Sequence, residues 1–282
     1  MKLWIVYGKK HENTIITKSM LECAQKFEID CNIYYFEYFS YKIENNEQKL
    51  FYKSKEITTF PDLAFIRGYN NTLCSFLEKV GTKFVNSKKG LFSTLDKLES
   101  HFAASKLGLK QPKTLYGQLS FDEIKNELDL PFVMKDRFGS KGSNVFLIND
   151  KTEFEKIKNQ NQQIDYIYQE YIEKSKGKDL RIYFVGDKIA GAIYRISVTD
   201  DFRSNISLGA TSELALNIPQ QIKDSAIKLA NYLDLHFCSI DFLVSDDEFL
   251  FCETNSNAGY RAFFDYGINL QDMIMDYIKK NY

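Results

Sequence analysis

The chain alternates short apolar runs with stretches of helical periodicity. LWIVY (residues 3–7) is continuously apolar and of strand length, so it predicts a buried strand. From Thr14 to Phe27 apolar positions recur at helical spacing. Residues 32–39 are aromatic and β-rich, PDLAFIRG (61–68) predicts a further strand, and KFVNS (83–87) a short one. Strands alternating with helices over roughly the first 95 residues imply a small α/β lobe built on parallel strands.

A helix is predicted from Ser93 to Leu107, with Leu95, Leu98, Phe102 and Ser105 along one face and Gly108 then Pro112 ending it. PFVMKD (131–136) and NVFLIN (144–149) read as strands around FGSKGS. Thr152 with Glu155 predicts a capping box for the next helix, and KIKNQNQQ (156–163) a solvated loop. YIYQEYI (166–172) is another strand. LRIYFV and KIAGAIYRIS flank Gly186-Asp187, a two-residue hairpin turn. Pro219 opens a helix with Ile222, Ala226, Leu229 and Leu233 on one face. HFCSIDFLV and EFLFCET form a last hairpin with its turn near Asp247, and a helix from Leu270 to Lys280 follows.

Composition narrows the classes of function. A chain of 282 residues buries about three-quarters of its unfolded surface, so its stability needs no disulfide or metal. Lysine and arginine number 37 against 38 acidic residues, and a net charge of −1 supplies no global field for nucleic acid or an anionic membrane. The five cysteines (Cys23, Cys31, Cys74, Cys238, Cys252) are odd in number and form no Cys-x-x-Cys pair, which points to a reduced, cytoplasmic protein. His11, His101 and His236 lack metal-ligand spacing. No apolar run reaches the roughly 18 residues of a membrane helix, and MKLWIVYG reads as a first strand rather than a signal peptide.

Three local patterns carry chemistry. With a turn near Asp247, Asp241 and Glu253 face each other across the final hairpin, about 5 Å apart at Cβ. Their neighbours are apolar, and facing carboxylates repel unless something neutralises them. A divalent cation does so, and Asn255 returns to the same face with a neutral oxygen, a set that suits magnesium carrying phosphates. A shared proton or a salt bridge to Arg or Lys would serve instead. Relieving one charge, as in Glu253→Gln, is expected to remove turnover and to leave the fold intact or slightly stabilised. Second, MKDRFGSKGSNV puts Lys135 on a strand before a turn containing Gly139, Ser140 and Gly142. Glycines there let backbone N–H groups approach phosphate oxygens, although the turn also reads as an ordinary hairpin. Third, Asp179, Arg181, Arg195, Arg203 and Asn205 lie on or near neighbouring strands. Arginines so placed can hold a phosphoryl group or form surface ion pairs. A strict two-residue turn at 186–187 puts Arg195 on the face opposite Arg181; a bulge would bring them together.

In this order the patterns resemble the ATP-grasp superfamily, and most closely the RimK-type glutamate ligases, from Asp96 to the C-terminus. LDKLESHFAASKLGLKQPKT is similar to the family's entry helix, which implies that Lys97 reaches an ATP phosphate. VMKDRFGSKGSNV resembles the lid hairpin, with Lys135 as the second ATP lysine. YQEYIEKSKGKDLRIYFVGDKIAGAIYR resembles the hinge and next hairpin. The resemblance implies Glu170, Tyr171 and Ile172 at the adenine, Asp179 at the ribose, and Arg181 and Arg195 at the phosphates. DFRSN is a near-verbatim family motif giving Arg203 and Asn205. IDFL and FCETN resemble the magnesium strands, with Asp241, Glu253 and Asn255 as ligands. The first lobe resembles the family's pre-ATP-grasp domain in pattern only. Two segments depart. ISLGAT stands where the family has a Gly-rich stretch preceded by His and Arg, and NSNAGYRAFF where it has Ser-Pro-Gly after the metal asparagine. Both lie where the family's acceptor and activated acid sit, so ATP and magnesium carry over and glutamate as substrate does not.

The resemblance implies an α/β (α+β) ATP-grasp fold in three lobes: residues 1–95, an entry helix and lid over 96–173, and a catalytic lobe over 174–282. The implied activity is an ATP- and magnesium- (or manganese-) dependent ligase. A carboxylate attacks the terminal phosphate, and an amine then displaces phosphate from the acyl phosphate. Arg195, Arg203 and Asn205 carry the catalytic roles. The expected partners are small-molecule or peptide carboxylates and amines, with neither nucleic acid nor membrane; a homo-oligomer is left open. A phosphotransferase on this fold and a non-catalytic ATP-binding scaffold are the alternatives. Arg67, which ends its strand, and Tyr260 and Arg261, which follow the metal residues, are expected at an organic anion, because Arg grips carboxylates bidentately. Structural ion pairs are the alternative for both arginines.

Overall fold

The computed structural model describes residues 1–140, 142–206, 209–246 and 248–282. It divides into two compact units, one of Met1–Phe92, Asp234–Phe237 and Ser256–Tyr282, the other of Ser93–Leu233 and Cys238–Asn255. Residues 256–282, expected with the catalytic lobe, therefore cluster with the start of the chain.

The first unit contains β1 (Lys2–Tyr7), α1 (Ile15–Lys26), β2 (Asp30–Tyr35), β3 (Phe39–Glu44), β4 (Glu47–Tyr52), β5 (Lys55–Ile57), β6 (Leu63–Arg67), α2 (Asn71–Lys79), β7 (Lys83–Phe84), α3 (Lys88–Ser93) and the terminal helix Leu270–Asn281. Four strands form the expected parallel sheet in the order β2-β1-β6-β7. Parallel strands are covered on both faces, and Leu3 to Val6 are accordingly fully buried. The aromatic run 32–39 does not stay one strand. It ends at Tyr35, and a separate antiparallel meander, β3-β4-β5, follows. The meander turns at Asn45-Asn46 and at Lys53-Ser54, all four at positive φ, a conformation that matches hairpin twist. Asn-Asn is a readable turn signal; Lys-Ser is not.

The second unit contains α4 (Lys97–Lys106), β8 (Thr114–Tyr116), α5 (Phe121–Lys125), β9 (Phe132–Asp136), β10 (Val145–Ile148), α6 (Lys151–Gln160), β11 (Tyr166–Glu170), β12 (Lys178–Val185), β13 (Lys188–Ile196), β14 (Thr211–Leu214), α7 (Gln220–Tyr232), β15 (Phe237–Ser245) and β16 (Glu248–Asn255). They build two sheets, β10-β9-β11-β8 and β14-β13-β12-β15-β16. Phe121, Phe132, Phe154 and Tyr168 pack α5 and α6 onto the first sheet.

Four local expectations change. α4 starts at Lys97, where Asp96 caps it by accepting from Leu98 N at 3.0 Å. Its buried side is Lys97, Leu98, Ser100, His101, Ala103 and Ala104, while Phe102 is 58% exposed. The helix turns a polar face inward, so apolar periodicity picks the wrong side. The N-cap of the next helix lies two residues earlier than expected, at Asp150, and the reciprocal capping box does not form there. Asp150 accepts from Glu153 N, and Glu153 accepts from Asn149 N. Much of the KIKNQNQQ run is helical, because α6 continues to Gln160. No helix among the described residues is long and apolar enough to cross a membrane.

Candidate active site

Side chains from both sheets of the second unit converge on one cavity. Lys97 enters from α4, Lys135 from β9, and Gly139, Ser140 and Gly142 from the turn after it. Gln169 and Glu170 come from β11, with Tyr171 and Ile172 following. Asp179, Arg195, Arg203, Asn205, Asp241 and Glu253 complete the wall. Arg181 and Asn255 stand behind it, attached to Asp241 and Glu253 respectively.

Two bulges set this arrangement. In the β12–β13 hairpin Phe184 pairs with Ile189 but Tyr183 with Gly191, so Ala190 is an extra residue. The shift places Arg195 opposite Asp179, on the face that also carries Arg181. In the last hairpin Ser245 pairs with Glu248 and Phe242 with Phe251, yet Asp241 pairs with Glu253, so Cys252 is the extra residue. The expected carboxylate pair forms, but through this bulge. The turn expected near Asp247, Lys141 of FGSKGS, and Ser207 and Leu208 of ISLGAT lie outside the described residues.

Arginine side chains face the carboxylate pair. Asp241 is fully buried and accepts from Arg181 Nε at 2.7 Å and Nη2 at 2.5 Å, and from Arg195 Nη2 at 2.8 Å. Arg195 also grips Asp179 bidentately, so the carboxylate expected at a ribose already has a partner. Burial pushes the Asp241 carboxyl up, and the two arginines oppose that. Glu253 is different. Burial works against its charge, but Lys97 and Arg181 outweigh it and hold the carboxyl at about 2. Asn255 Nδ2 donates to its Oε1 at 3.0 Å.

A depressed pKa makes Glu253 stabilising rather than repelled, which corrects the expectation for its neutralisation. The contribution is complete above the usual value of 4.5 and disappears as pH falls toward about 2. The difference in unfolding free energy between the wild type and Glu253→Gln should therefore be constant near neutrality and shrink between those two values. Chemical denaturation at a series of pH values measures it; a difference that does not change with pH would refute the pairing with Lys97 and Arg181.

The residues fit a phosphate chain. Lys135 is 6% exposed and has no hydrogen-bond partner among the described residues. Lys97 donates to the carbonyls of Asp136 (3.0 Å) and Gly139. Arg203 is held by Asp201 and donates to the Gly142 carbonyl at 2.8 Å. Gly142 adopts φ +74°, and a Cβ at Gly139 would lie 2.8 Å from Asp136 Cβ, so the fold itself requires both glycines. Glu253 and Asn255 have the oxygen chemistry for a divalent cation; Asp241, engaged by two arginines, does not offer a free oxygen in this arrangement.

The expected substrate residues belong to the first unit. Arg67 is buried, donates Nη2 to the Ala258 carbonyl at 2.7 Å and lies over the rings of Phe237, Phe65 and Tyr260. Tyr260 is buried and accepts from Gln271 at 3.3 Å. Arg261 is exposed. The surroundings of Arg67 support a packing role by cation–π contact. Gln169 is a lining residue that motif reasoning passed over; its one signal is a polar residue inside the apolar strand YIYQEYI.

Fold and cavity together define a two-sheet cleft with converging cations and carboxylates. The chain belongs to the RimK-like ATP-grasp family, whose domain matches residues 94–278. It is 32% identical over 240 residues to human (Homo sapiens) N-acetylaspartylglutamate synthase A, covering 79% of this chain and 61% of that protein. It therefore spans about three-fifths of that relative's length. A probable alpha-L-glutamate ligase of Vibrio atlanticus is 28% identical over 250 residues, covering 85% and 83%. Among solved structures, the ATP-grasp ligase PsnB with a precursor variant, Mg and ADP superimposes with a TM-score of 0.71 at 15% identity, covering 100% and 99%. The α/β ATP-grasp fold expected from the sequence is the fold observed.

Proposed function

We propose that this chain is an ATP-dependent ligase joining a carboxylate to an amine, with release of ADP and phosphate. The observation that carries it is the convergence of Lys97, Lys135 and Arg203 on one cavity with Glu253. The names of the relatives, a synthase and a ligase of glutamate-containing products, support amide formation. ATP would lie along Glu170 to Ile172, with its phosphates at Lys97, Lys135 and the Gly139–Gly142 turn. Glu253 and Asn255 would hold magnesium or manganese, whose charge offsets that of the phosphates when bound. Arg203 and Asn205 face the transferred phosphoryl group, and Arg195 is oriented there by Asp179 and Asp241. The substrate carboxylate attacks the terminal phosphorus, and ADP leaves. The amine nitrogen then attacks the acyl carbon, and phosphate leaves. The acid and amine are small molecules or peptides; the PsnB structure with its precursor variant supports the second class.

The direct test offers ATP, magnesium and a panel of amino acids and short peptides, and reads products by mass spectrometry. Amide products with stoichiometric ADP and free phosphate are expected. A phosphorylated acceptor without amide would identify a phosphotransferase, and no ATP consumption with any acceptor would overturn the reading. Lys135→Ala should weaken ATP binding about tenfold, since a charge-assisted hydrogen bond is lost; unchanged affinity by calorimetry would remove Lys135 from the phosphate site.

A further inference from the structure

The back of the cavity holds a hydrogen-bond chain whose direction is fixed at both ends. Gln111 Nε2 donates to the backbone carbonyl of His101 at 3.3 Å, so its Oε1 faces His101 Nδ1 at 2.7 Å. Nδ1 must carry the proton, because Oε1 can only accept. His101 is buried, its ring edge-on to Phe251. Burial, assisted by the charge of Lys135, lowers its pKa to about 4, so the ring is neutral at pH 7 and Nε2 is a lone pair. Gln169 Nε2 lies 2.8 Å from that lone pair and must donate to it. The other end agrees independently. Thr114 Oγ1 donates to the Pro112 carbonyl at 2.9 Å, so it accepts from Gln169 Nε2 at 2.7 Å. Both N–H groups of Gln169 are thereby spent, and its Oε1 is what the amide has left to offer the cavity it lines.

We infer that His101 and Gln111 are positioning residues that hold the Gln169 amide with its oxygen toward the nucleobase, so that the site selects a purine carrying a hydrogen-bond donor at position 6. The inference rests on the placement of the base beside Glu170–Ile172 proposed above. An exocyclic amine at position 6 meets the oxygen as a donor; a 6-oxo group would put two acceptors face to face, and a buried polar mismatch is what sites discriminate against most strongly. Without the imidazole lone pair, Gln169 is free to turn its nitrogen inward and accept the 6-oxo base.

The test compares kcat/KM for ATP and for inosine triphosphate, which replaces the 6-amine by an oxo group and carries a proton on the adjacent N1; the ratio between wild type and variants isolates the part that depends on Gln169. The wild type should prefer ATP by tenfold or more. His101→Phe keeps a buried ring and removes the acceptor, and the preference should fall about tenfold, toward unity. Gln111→Leu leaves the imidazole in place but frees its tautomer, and should lower the preference about threefold; it decides the matter if His101→Phe does not fold by thermal melting. A merely structural role would lower both nucleotides alike and keep the ratio, which would overturn the inference, as would a wild type indifferent to the base. A wild type that consumes ATP selectively while both variants keep the ratio refutes only this inference. A wild type that consumes neither nucleotide refutes the ligase reading and this inference with it.

Discussion

Glu253→Gln is expected to lower turnover by a hundredfold or more, because a preorganised charge at the transferring phosphoryl group is typically worth about that much. The carboxylate is held ionised by Lys97 and Arg181, and its partner Asn255 donates to it. The amide of Gln occupies the same volume without the charge, so the loss should appear in kcat with the cavity intact. It should also cost about 2 kcal/mol of stability at neutral pH, the favourable surroundings of the charge being forfeited. ADP release at saturating ATP and magnesium, together with urea unfolding, measures both. Turnover within a few-fold of the wild type would detach Glu253 from the chemistry.

Asp241→Asn should destabilise the fold by about 3–5 kcal/mol, the usual cost of breaking a buried ion pair from one side. Asp241 has no exposure and takes three N–H donors from two arginines. Arg195 keeps Asp179, but Arg181 is left with Glu253, 3.7 Å away. The guanidinium would stay buried with most of its charge uncompensated. Adding Arg181→Met should recover part of the loss, because the two effects share one interaction. An unfolding free energy within about 1 kcal/mol of the wild type would show that solvent reaches the cluster.

The chemistry was more legible than the packing that arranges it. Lys97, Lys135 and Glu253 sit in stretches of sequence whose order carries the resemblance, and all three line the cavity. The neutralisation of Asp241 could not be read from its own hairpin, because β12, which brings Arg181, is a neighbour in space and not in sequence. The Ala190 bulge, on which the shared face of Arg181 and Arg195 depends, has no residue signature in the sequence. α4 misled because helical periodicity assumes an apolar core, whereas its inner face carries His101, which meets Gln111 and Gln169. The meander of residues 39–57 escaped because one of its turns is built from Lys53 and Ser54, ordinary residues held at positive φ.

The cluster around Asp241 also bears on how the chain is made. Arg181 precedes its carboxylate by 60 residues and Arg195 precedes it by 46. Arg203, which holds the Gly142 carbonyl, follows it by 61. At about 5–20 residues per second, the emerging chain carries Arg181 for roughly 3–12 s before Asp241 exists. During translation, then, Arg195 finds Asp179 within its own β12–β13 hairpin, but Arg181 emerges ahead of its carboxylates and can be buried as an ion pair only once the last hairpin has been delivered. The second unit is completed late, from its far end, and a chain stopped short of residue 241 would lack the anion on which its own centre closes.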